Sequence, residues 1–244
     1  MRIDARGMHY RRLNAILKEA VASGVTQFEL ENVNGQRYLG TGLDRPVEIV
    51  VRGVPGNDLG AFMDGPTVIV RGNAQDAIAN TMNAGKIVVH GHAGDVLAFG
   101  MRGGKLYIKG DVGYRVGIHM KAFKEQVPVV IIGGSAGAFF GEYMAGGILV
   151  LLGLGCAPGQ SLIGDYTGTG MHGGVIYVRG KVDPDLLGKE VAVFEADAQD
   201  QASLEPHLLE YCREFGLDPT EISREPFQKL LPVSHRPYGN LYAY

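Results

Sequence analysis

The sequence predicts an all-β fold: a single-stranded, right-handed parallel β-helix (β-solenoid) of about seven coils, with helical segments at both ends. A short β-branched run that ends in glycine recurs along the 244-residue chain. The closing glycines lie at positions 53, 72, 91, 110, 134, 153 and 180, so successive spacings are 19, 19, 19, 24, 19 and 27 residues. Six of the eight methionines occupy one position of this repeat. Self-similarity at a fixed period of this length indicates stacked structural repeats.

A β-solenoid explains the repeat physically. One coil cannot bury its own apolar side, whereas stacked coils share a continuous core. Successive coils would lie about 4.8 Å apart, which is the spacing of hydrogen-bonded strands, and parallel crossovers favour right-handed winding. Alternate residues of each run, such as Ile49 and Val51, should point inward. The methionines should fill the irregular interior, because the thioether side chain adapts to gaps.

Residues 1–46 are expected to form an N-terminal helix followed by capping strands. Apolar residues at helical spacing predict a helix over residues 9–22, namely Leu13, Ile16, Leu17, Ala20 and Val21. The segments QFELE and QRYLG are predicted to be strands joined by a turn at residues 32–35. These strands would cap the first coil, whose edge is otherwise unpaired.

Residues 47–182 are predicted to be the β-helix itself. Within the coils, glycine recurs in the pattern Gly-x-x-Gly-x-x-x-Gly, and glycine permits positive φ at corners and close approach of neighbouring coils. We assign this structural role to Gly53, Gly56, Gly60, Gly110, Gly113, Gly117, Gly134, Gly137 and Gly141. The second coil departs from the pattern, with Gln75 and Ala79 in two glycine positions.

Residues 183–244 are predicted to be a helical and extended tail packed on the β-helix. A helix is expected over residues 204–215, with Ser203 as its N-cap and Gly216 as its stop, and a shorter helix over residues 220–230. The aromatic end PVSHRPYGNLYAY is expected to lie extended against a surface.

The outward-facing strand positions change character along the rod. Early coils present mainly charged or polar side chains, whereas later coils present an apolar set: Val129, Ile131, Ile148, Val150 and Leu152. An apolar surface of that extent is not expected to stay bare. We therefore expect it to be covered, either by the tail of the chain or by a partner.

Composition argues against several classes of function. The formal net charge is −3, so bulk charge points neither to nucleic acid nor to an anionic membrane. No stretch approaches the roughly 20 apolar residues that a membrane helix needs, and the first residues do not resemble a secretory signal. Cys156 and Cys212 are expected to be free thiols in a reducing, cytoplasmic environment.

The sequence predicts neither a catalytic residue nor a metal or cofactor site in this chain. The segment from Gly134 to Gly141 imitates a dinucleotide-binding loop, but the coil pattern resumes too soon for the helix that such a loop requires. His90, His92 and His119 are too scattered to be read as metal ligands.

Asp76 and Asp95 share one repeat position. Stacked carboxylates could serve a polysaccharide-cleaving β-helix by binding calcium or by sharing a proton. The alternative, which we favour, is that each side chain caps nearby loop amides.

A row of polar residues is the candidate partner-facing surface. Arg102, Lys121 and His172 each follow a methionine of the repeat, and Arg115 and His119 lie close by in sequence. Arg115 and Lys121 could together grip an anion. A solvated corner of the solenoid is the alternative interpretation.

These repeats resemble the glycine-repeat (GXGXG) C-terminal domain of the glutamate synthase large subunit. The segments GNDLGAFMDG, MRGGKLYIKG and GTGMHGGVIYVRG all match the family, and the match extends to PVSHRPYGNLY at the end of the chain. The type most similar to this chain is the stand-alone one, in which the large subunit is split into separate chains. A related domain occurs in the glycine-repeat subunit of formylmethanofuran dehydrogenase.

The resemblance implies an architectural role without cofactors in this chain. In the family, glutamine hydrolysis belongs to an amidotransferase part and glutamate formation to a barrel with FMN and an iron–sulfur cluster. FMN, iron–sulfur and FAD groups are therefore expected in partner chains. This chain has Arg2 after Met1 and only two cysteines, so the resemblance implies that it contains neither catalytic centre.

We therefore hypothesise a non-catalytic, scaffold subunit of a split glutamate synthase, which converts glutamine and 2-oxoglutarate to two glutamates. It would hold the glutaminase and FMN/iron–sulfur synthase subunits in register, and self-association stays open. The alternatives are a scaffold like the glycine-repeat subunit of formylmethanofuran dehydrogenase, or a carbohydrate-active β-helix protein that acts through Asp76 and Asp95.

Overall fold

The structure is a computed structural model that describes residues 1–157 and 159–233. One eleven-stranded sheet runs through it, in the order β1 to β9, then β11, then β10. The strands are β1 Arg2–Asp4, β2 Gln27–Asn34, β3 Glu48–Val54, β4 Asp64–Val70, β5 Ala84–Val89, β6 Lys105–Ile108, β7 Val129–Ile132, β8 Ala145–Leu151, β9 Gly173–Arg179, β10 Val191–Glu195 and β11 Phe227–Pro232. The helices are α1 Tyr10–Ala22, α2 Ala198–Phe215 and α3 Pro219–Ile222, with a 3-10 turn at Pro184–Leu186.

Strands β1 to β9 pair in parallel and in chain order, as a solenoid requires. The seven predicted runs are strands β3 to β9, and six complete turns of the chain join these seven strands. Their register is that of the sequence repeat, because Val51 lies beside Val70 and Val70 beside Val89. The predicted parallel β-solenoid with helices at both ends is therefore confirmed.

The interior of the solenoid is apolar along its whole length. Inward-pointing strand residues such as Ile49, Val51 and Val70 are at most 1% exposed. The six methionines of the repeat are equally buried: Met63, Met82, Met101, Met120, Met144 and Met171. They fill the space between the sheet and the turns on the other side of each coil, as the adaptable thioether side chain allows.

Two glycines of one coil show why the recurrent pattern needs glycine. At Gly113 a Cβ would collide with the carboxylate of Asp95, which accepts a hydrogen bond from the Tyr114 amide at 3.1 Å. At Gly117 the backbone is left-handed (φ 76°), and a Cβ would lie 2.7 Å from Cδ1 of Leu149 in the core. The first glycine thus leaves room for a loop cap, and the second allows a turn to lie against the core.

Helix α1 covers the first end of the core. It spans Tyr10–Ala22, within one residue of the predicted range, and buries Leu13, Leu17 and Val21. Strand β1 precedes it and pairs with β2. This strand was not predicted, because three residues carry no measurable periodicity.

The predicted strand QRYLG is wrong. Residues 36–40 form a turn because Tyr38 and Gly40 have left-handed backbones, with φ of 63° and 73°. The Tyr38 amide donates to the Asn57 carbonyl of the next coil at 3.0 Å. Strand β2 and this turn therefore add one coil to the ladder ahead of β3.

Helix α2 begins earlier than predicted. It starts at Ala198 because Asp197 caps it, forming a reciprocal capping box with Asp200. Ser203, the predicted cap, lies inside the helix and donates to the Gln199 carbonyl. Gly216 ends the helix in a left-handed conformation (φ 65°) as expected.

The end of the described chain forms strands where a helix was predicted. Only Pro219–Ile222 is helical, and Phe227–Pro232 is strand β11, which pairs antiparallel with β9 and β10. The prediction of a helix over residues 220–230 is wrong, because pairing with distant strands overrides a local pattern. The expected extended course from residue 234 onward lies outside the described residues.

Helix α2 lies on the outer face of the later coils. Leu204, Tyr211 and Phe215 from α2 form a second core with apolar side chains of the sheet: Val88, Tyr107, Val129, Ile131, Val150, Leu152 and Tyr177. The Tyr211 hydroxyl donates to the Ile108 carbonyl at 3.1 Å, and burial raises the pKa of that hydroxyl. Of the apolar outward set, Val129, Ile131, Val150 and Leu152 are buried in this second core, and Ile148 packs against it while partly buried.

Ion pairs fix the same helix to the middle strands. Glu210 accepts a hydrogen bond from Lys86 at 3.1 Å and another from Lys105, and Lys86 also binds Glu214. Burial raises the pKa of Glu210, but the hydrogen bonds and charges of the two lysines lower it more. The net pKa of Glu210 therefore lies below its ordinary value.

We predict that Gly117→Ala lowers the free energy of unfolding by about 2–4 kcal/mol, because it adds overpacking against Leu149 to the cost of a left-handed alanine. Gly100→Ala is the control: its φ is 56°, and its nearest neighbour, Oγ1 of Thr81, would lie 3.8 Å from the new Cβ. The control should cost about 1 kcal/mol. Urea unfolding measures both values, and equal losses would refute the packing argument.

We predict that Glu210→Gln weakens docking of α2 by about 1–3 kcal/mol, since both lysines lose a charged acceptor. In the wild type, this stabilisation should be complete above the ordinary pKa of 4.5 and be lost as pH falls through the lower folded pKa. Hydrogen exchange of the α2 amides at several pH values measures the effect. Glu205→Gln, an exposed position on the same helix, should leave exchange unchanged; an equal effect at both positions would count against the ion pairs.

Candidate functional site

The side of each coil away from the sheet is a turn with alternating left-handed residues. In one coil, Arg115, Gly117 and His119 have φ of 58°, 76° and 55°. The Gly117 amide donates to the Leu97 carbonyl of the preceding coil at 2.8 Å, and the Arg115 amide to the Ala138 carbonyl of the following coil at 2.9 Å. We call this surface the glycine edge; it comprises residues 38–42, 58–62, 77–81, 96–100, 115–119, 139–143 and 166–170.

Arg115 of the predicted partner-facing set is held in place on the glycine edge. Its guanidinium donates to Glu142 at 2.6 Å and lies over the Phe139 ring, 4.6 Å from the centroid. Glu142 is buried, at 6% exposure, so Arg115 neutralises a carboxylate that water barely reaches. The expected joint grip of Arg115 and Lys121 on an anion would have to compete with this ion pair.

His119 lies in a row of aromatic side chains. Its ring stacks on Tyr143, with centroids 5.4 Å apart, and meets the edge of Phe99 at 5.8 Å. A second row runs beside it, in which Phe139 stacks on Tyr166 at 5.2 Å. Rings held in this way lose little conformational freedom when a partner binds, which suits a protein-binding surface.

Arg102, Lys121 and His172 occupy equivalent corners of different coils. Their amides donate to the carbonyls of the repeat methionines one coil back. Arg102 and Lys121 therefore sit on neighbouring coils, whereas His172 lies two coils beyond Lys121, with Ala145 between them. Lys121 is exposed, Arg102 is half-buried, and His172 approaches the Gly170 carbonyl through Nδ1 at 3.2 Å.

Asp76 and Asp95 act as loop caps. Asp76 accepts a hydrogen bond from the Asp95 amide at 2.9 Å, and Asp95 from the Tyr114 amide at 3.1 Å. Each carboxylate binds a backbone amide of the next coil, as the capping interpretation requires. A parallel series of caps runs one corner away through Asn73, His92 and Asp111, each of which accepts from an amide of the following coil.

Other candidate reactive residues lie apart from one another. His90 contacts Arg71 and Phe215 on the outer sheet face, whereas His92 caps a loop. Cys156 is half-buried and Cys212 lies on the buried face of α2, and burial raises the pKa of both thiols. In the described part of the chain, no three His, Cys, Asp or Glu side chains gather as metal ligands would.

The glycine loop from Gly134 to Gly141 does not open a helix. Gly141 belongs to a left-handed turn (φ 71°), and strand β8 begins at Ala145. The geometry that lets a dinucleotide-binding loop present helix amides to a pyrophosphate is therefore missing here.

Sequence reasoning missed the two aromatic rows and the buried Glu142. Their members occupy the positions beside and between the small residues of the glycine edge: Phe99, Phe139, Glu142, Tyr143 and Tyr166. The repeat pattern already aligns Gly60, Gly117 and Gly141; treating the side chains that flank these glycines as one surface would have grouped the aromatic residues.

Across residues 1–157 and 159–233, no helix has both the length and the apolar character needed to cross a bilayer.

Comparisons with known proteins agree with this geometry. The chain is 46% identical to an uncharacterized protein of Methanocaldococcus jannaschii, with 98% of this chain and 95% of that protein covered. Its fold is similar to a chain in the crystal structure of the formyltransferase/hydrolase complex of Methylorubrum extorquens in complex with methylofuran. For that pair the TM-score is 0.63, the identity is 20%, and 86% of this chain and 78% of the other are covered. The model of the GXGXG motif family matches residues 22–232, and this chain therefore belongs to that family.

Proposed function

We propose that this chain is a non-catalytic docking subunit of a multi-subunit enzyme complex. The observation that carries the proposal is how the recurrent polar side chains are used. Asp76, Asp95 and Asp111 hold successive coils together through backbone amides. Because these side chains fix one coil to the next, the solenoid is rigid, and a rigid rod is suited to hold partner chains at fixed separations.

A complex that transfers one-carbon units as formyl groups is the candidate that the comparisons favour. The similar solved chain belongs to a formyltransferase/hydrolase complex crystallised with methylofuran. In this proposal, the present chain takes the position of the glycine-repeat subunit of formylmethanofuran dehydrogenase. The formyl carrier and any redox or metal groups would be bound by the partner chains, and the complex would work in the cytoplasm.

A split glutamate synthase is the second candidate, supported by the glycine-repeat segments such as GTGMHGGVIYVRG. In that complex the chain would hold a glutaminase subunit beside an FMN/iron–sulfur synthase subunit, with FAD in a further partner. Both candidates give this chain the same physical task and differ only in the chains that it holds. A carbohydrate-active function loses its support, since Asp76 and Asp95 are engaged as caps.

Affinity isolation of the tagged chain from its native host, followed by mass spectrometry, tests the proposal. We expect several stoichiometric partner chains. Formyltransferase and hydrolase chains would identify the first candidate, and amidotransferase and flavin-binding chains the second. Isolation of the chain without any stoichiometric partner would contradict the docking role itself.

We predict that His119→Ala weakens partner association about tenfold, because it removes the central ring of the aromatic row on the glycine edge. Titration of the isolated partner chains against the variant measures the change. Lys18→Ala, at an exposed position on α1, is the control and should bind as the wild type does. Arg115→Ala is a poor choice, because it would leave the buried Glu142 without its cation. If His119→Ala binds the partner chains as tightly as the wild type does, the glycine edge is not part of the interface.

A further inference from the structure

The two ends of the eleven-stranded sheet are protected to different degrees. Strand β1 has only three residues, and two of them, Arg2 and Asp4, are charged. Strand β10, at the other end, reads Val191-Ala192-Val193-Phe194-Glu195. Short, charged edge strands resist pairing with another chain, whereas apolar edges without lysine or proline invite it. Strand β10 is therefore the end of the sheet that is open to a further strand.

The hydrogen bonds that flank β10 determine which backbone groups face outward. The Ala196 amide donates to the Phe227 carbonyl at 3.0 Å, and the Val233 amide to the Glu190 carbonyl at 2.8 Å. Along an antiparallel strand, the backbone groups of alternate residues point toward the same neighbouring strand. The backbone amides and carbonyls of even-numbered residues, such as 192 and 194, therefore face β11. The amides and carbonyls of Val193 and Glu195 must point away from the sheet.

These outward groups have no partner among the described residues. No hydrogen bond within residues 1–157 and 159–233 reaches the amide or the carbonyl of Val193 or Glu195. Phe194 lies between them, and its apolar side chain is 42% exposed. Two donors, two acceptors and one exposed ring thus occupy three consecutive residues.

We propose that β10 pairs antiparallel with β10 of a second copy of this chain, which joins two solenoids end to end through one continuous sheet. In the register that we assign, Val193 lies opposite the partner subunit's Glu195, and Phe194 opposite the partner's Phe194. In this register, Val193 and the partner's Glu195 each donate one backbone hydrogen bond to the other. The two-fold axis repeats this pair, so the interface has four inter-chain hydrogen bonds. The two-fold axis passes between the two phenylalanine residues.

A second copy fits this edge because the assigned register is self-complementary. Antiparallel pairing of one strand with itself is the natural form of a two-fold interface, in which each contact occurs twice. The Phe194 pair falls at a position without hydrogen bonds, where Cα atoms approach to about 4.5 Å and side chains are closest. Glu195 faces a valine, so the register places no like charges opposite each other. The assembly is independent of the proposed docking role.

Light scattering coupled to size exclusion of the full chain is the first test. We expect twice the chain mass of 26.2 kDa. Glu195→Pro removes one outward amide and no backbone hydrogen bond between β10 and β11, although it also removes the carboxylate that accepts from Gln228. It should yield the monomer with an unchanged circular dichroism spectrum. Glu195→Gln keeps the amide and should stay dimeric. A monomeric wild type, or a Glu195→Pro variant that is folded and dimeric, would overturn the proposal.

Cysteine cross-linking tests the register and does not depend on the proline variant folding. In a Cys156→Ser background, Phe194→Cys should form an inter-chain disulfide in air, because facing Cα atoms about 4.5 Å apart permit one. Ala192→Cys lies on the same strand face but would be four residues out of register with its counterpart, so it should stay reduced. Equal cross-linking of both variants, or of neither, would contradict the assigned pairing.

Discussion

The structure depends on one constraint: each coil must return the same backbone groups to positions above those of the coil before it. On one side this produces the parallel sheet from β1 to β9. On the other side it produces the glycine edge, where amides such as those of Gly60, Ala79 and Gly117 donate to the coil below. Two ladders on opposite sides of one apolar core restrain each coil against rotation and slippage. A chain restrained in this way is suited to hold other proteins at fixed separations.

The requirement that successive coils stack in register also determines where polar and charged side chains lie. Aspartates at recurrent corner positions bind amides of the next coil, so their carboxylates serve the stacking. On the glycine edge some side chains also join coils, as Asn80 does by donating to Asp58. Arginine and aromatic rings accumulate there around the buried Glu142. Interfaces between proteins are enriched in the same residue types. The recurrent caps at the corners and the aromatic rings on the glycine edge together support a docking role.

Much of the solenoid could be predicted because its signal is periodic. Seven β-branched runs and six methionines at one spacing were sufficient to place β3 to β9 and the core. Elements that lie outside the period were missed for physical reasons. Strand β1 is too short to show a pattern, and β10 and β11 owe their conformation to pairing with distant strands. The aromatic rows were missed because stacking joins residues of different coils.

Hydrogen exchange at the glycine edge tests the central claim most directly, since that ladder distinguishes a rigid rod from a sheet with loose loops. Protection of a backbone amide reports how often its hydrogen bond opens. The account predicts that the amides of Gly60, Ala79, Ala98 and Gly117 exchange as slowly as those of strands β4 to β6. Exchange of these four amides at the rate of exposed loops would contradict it.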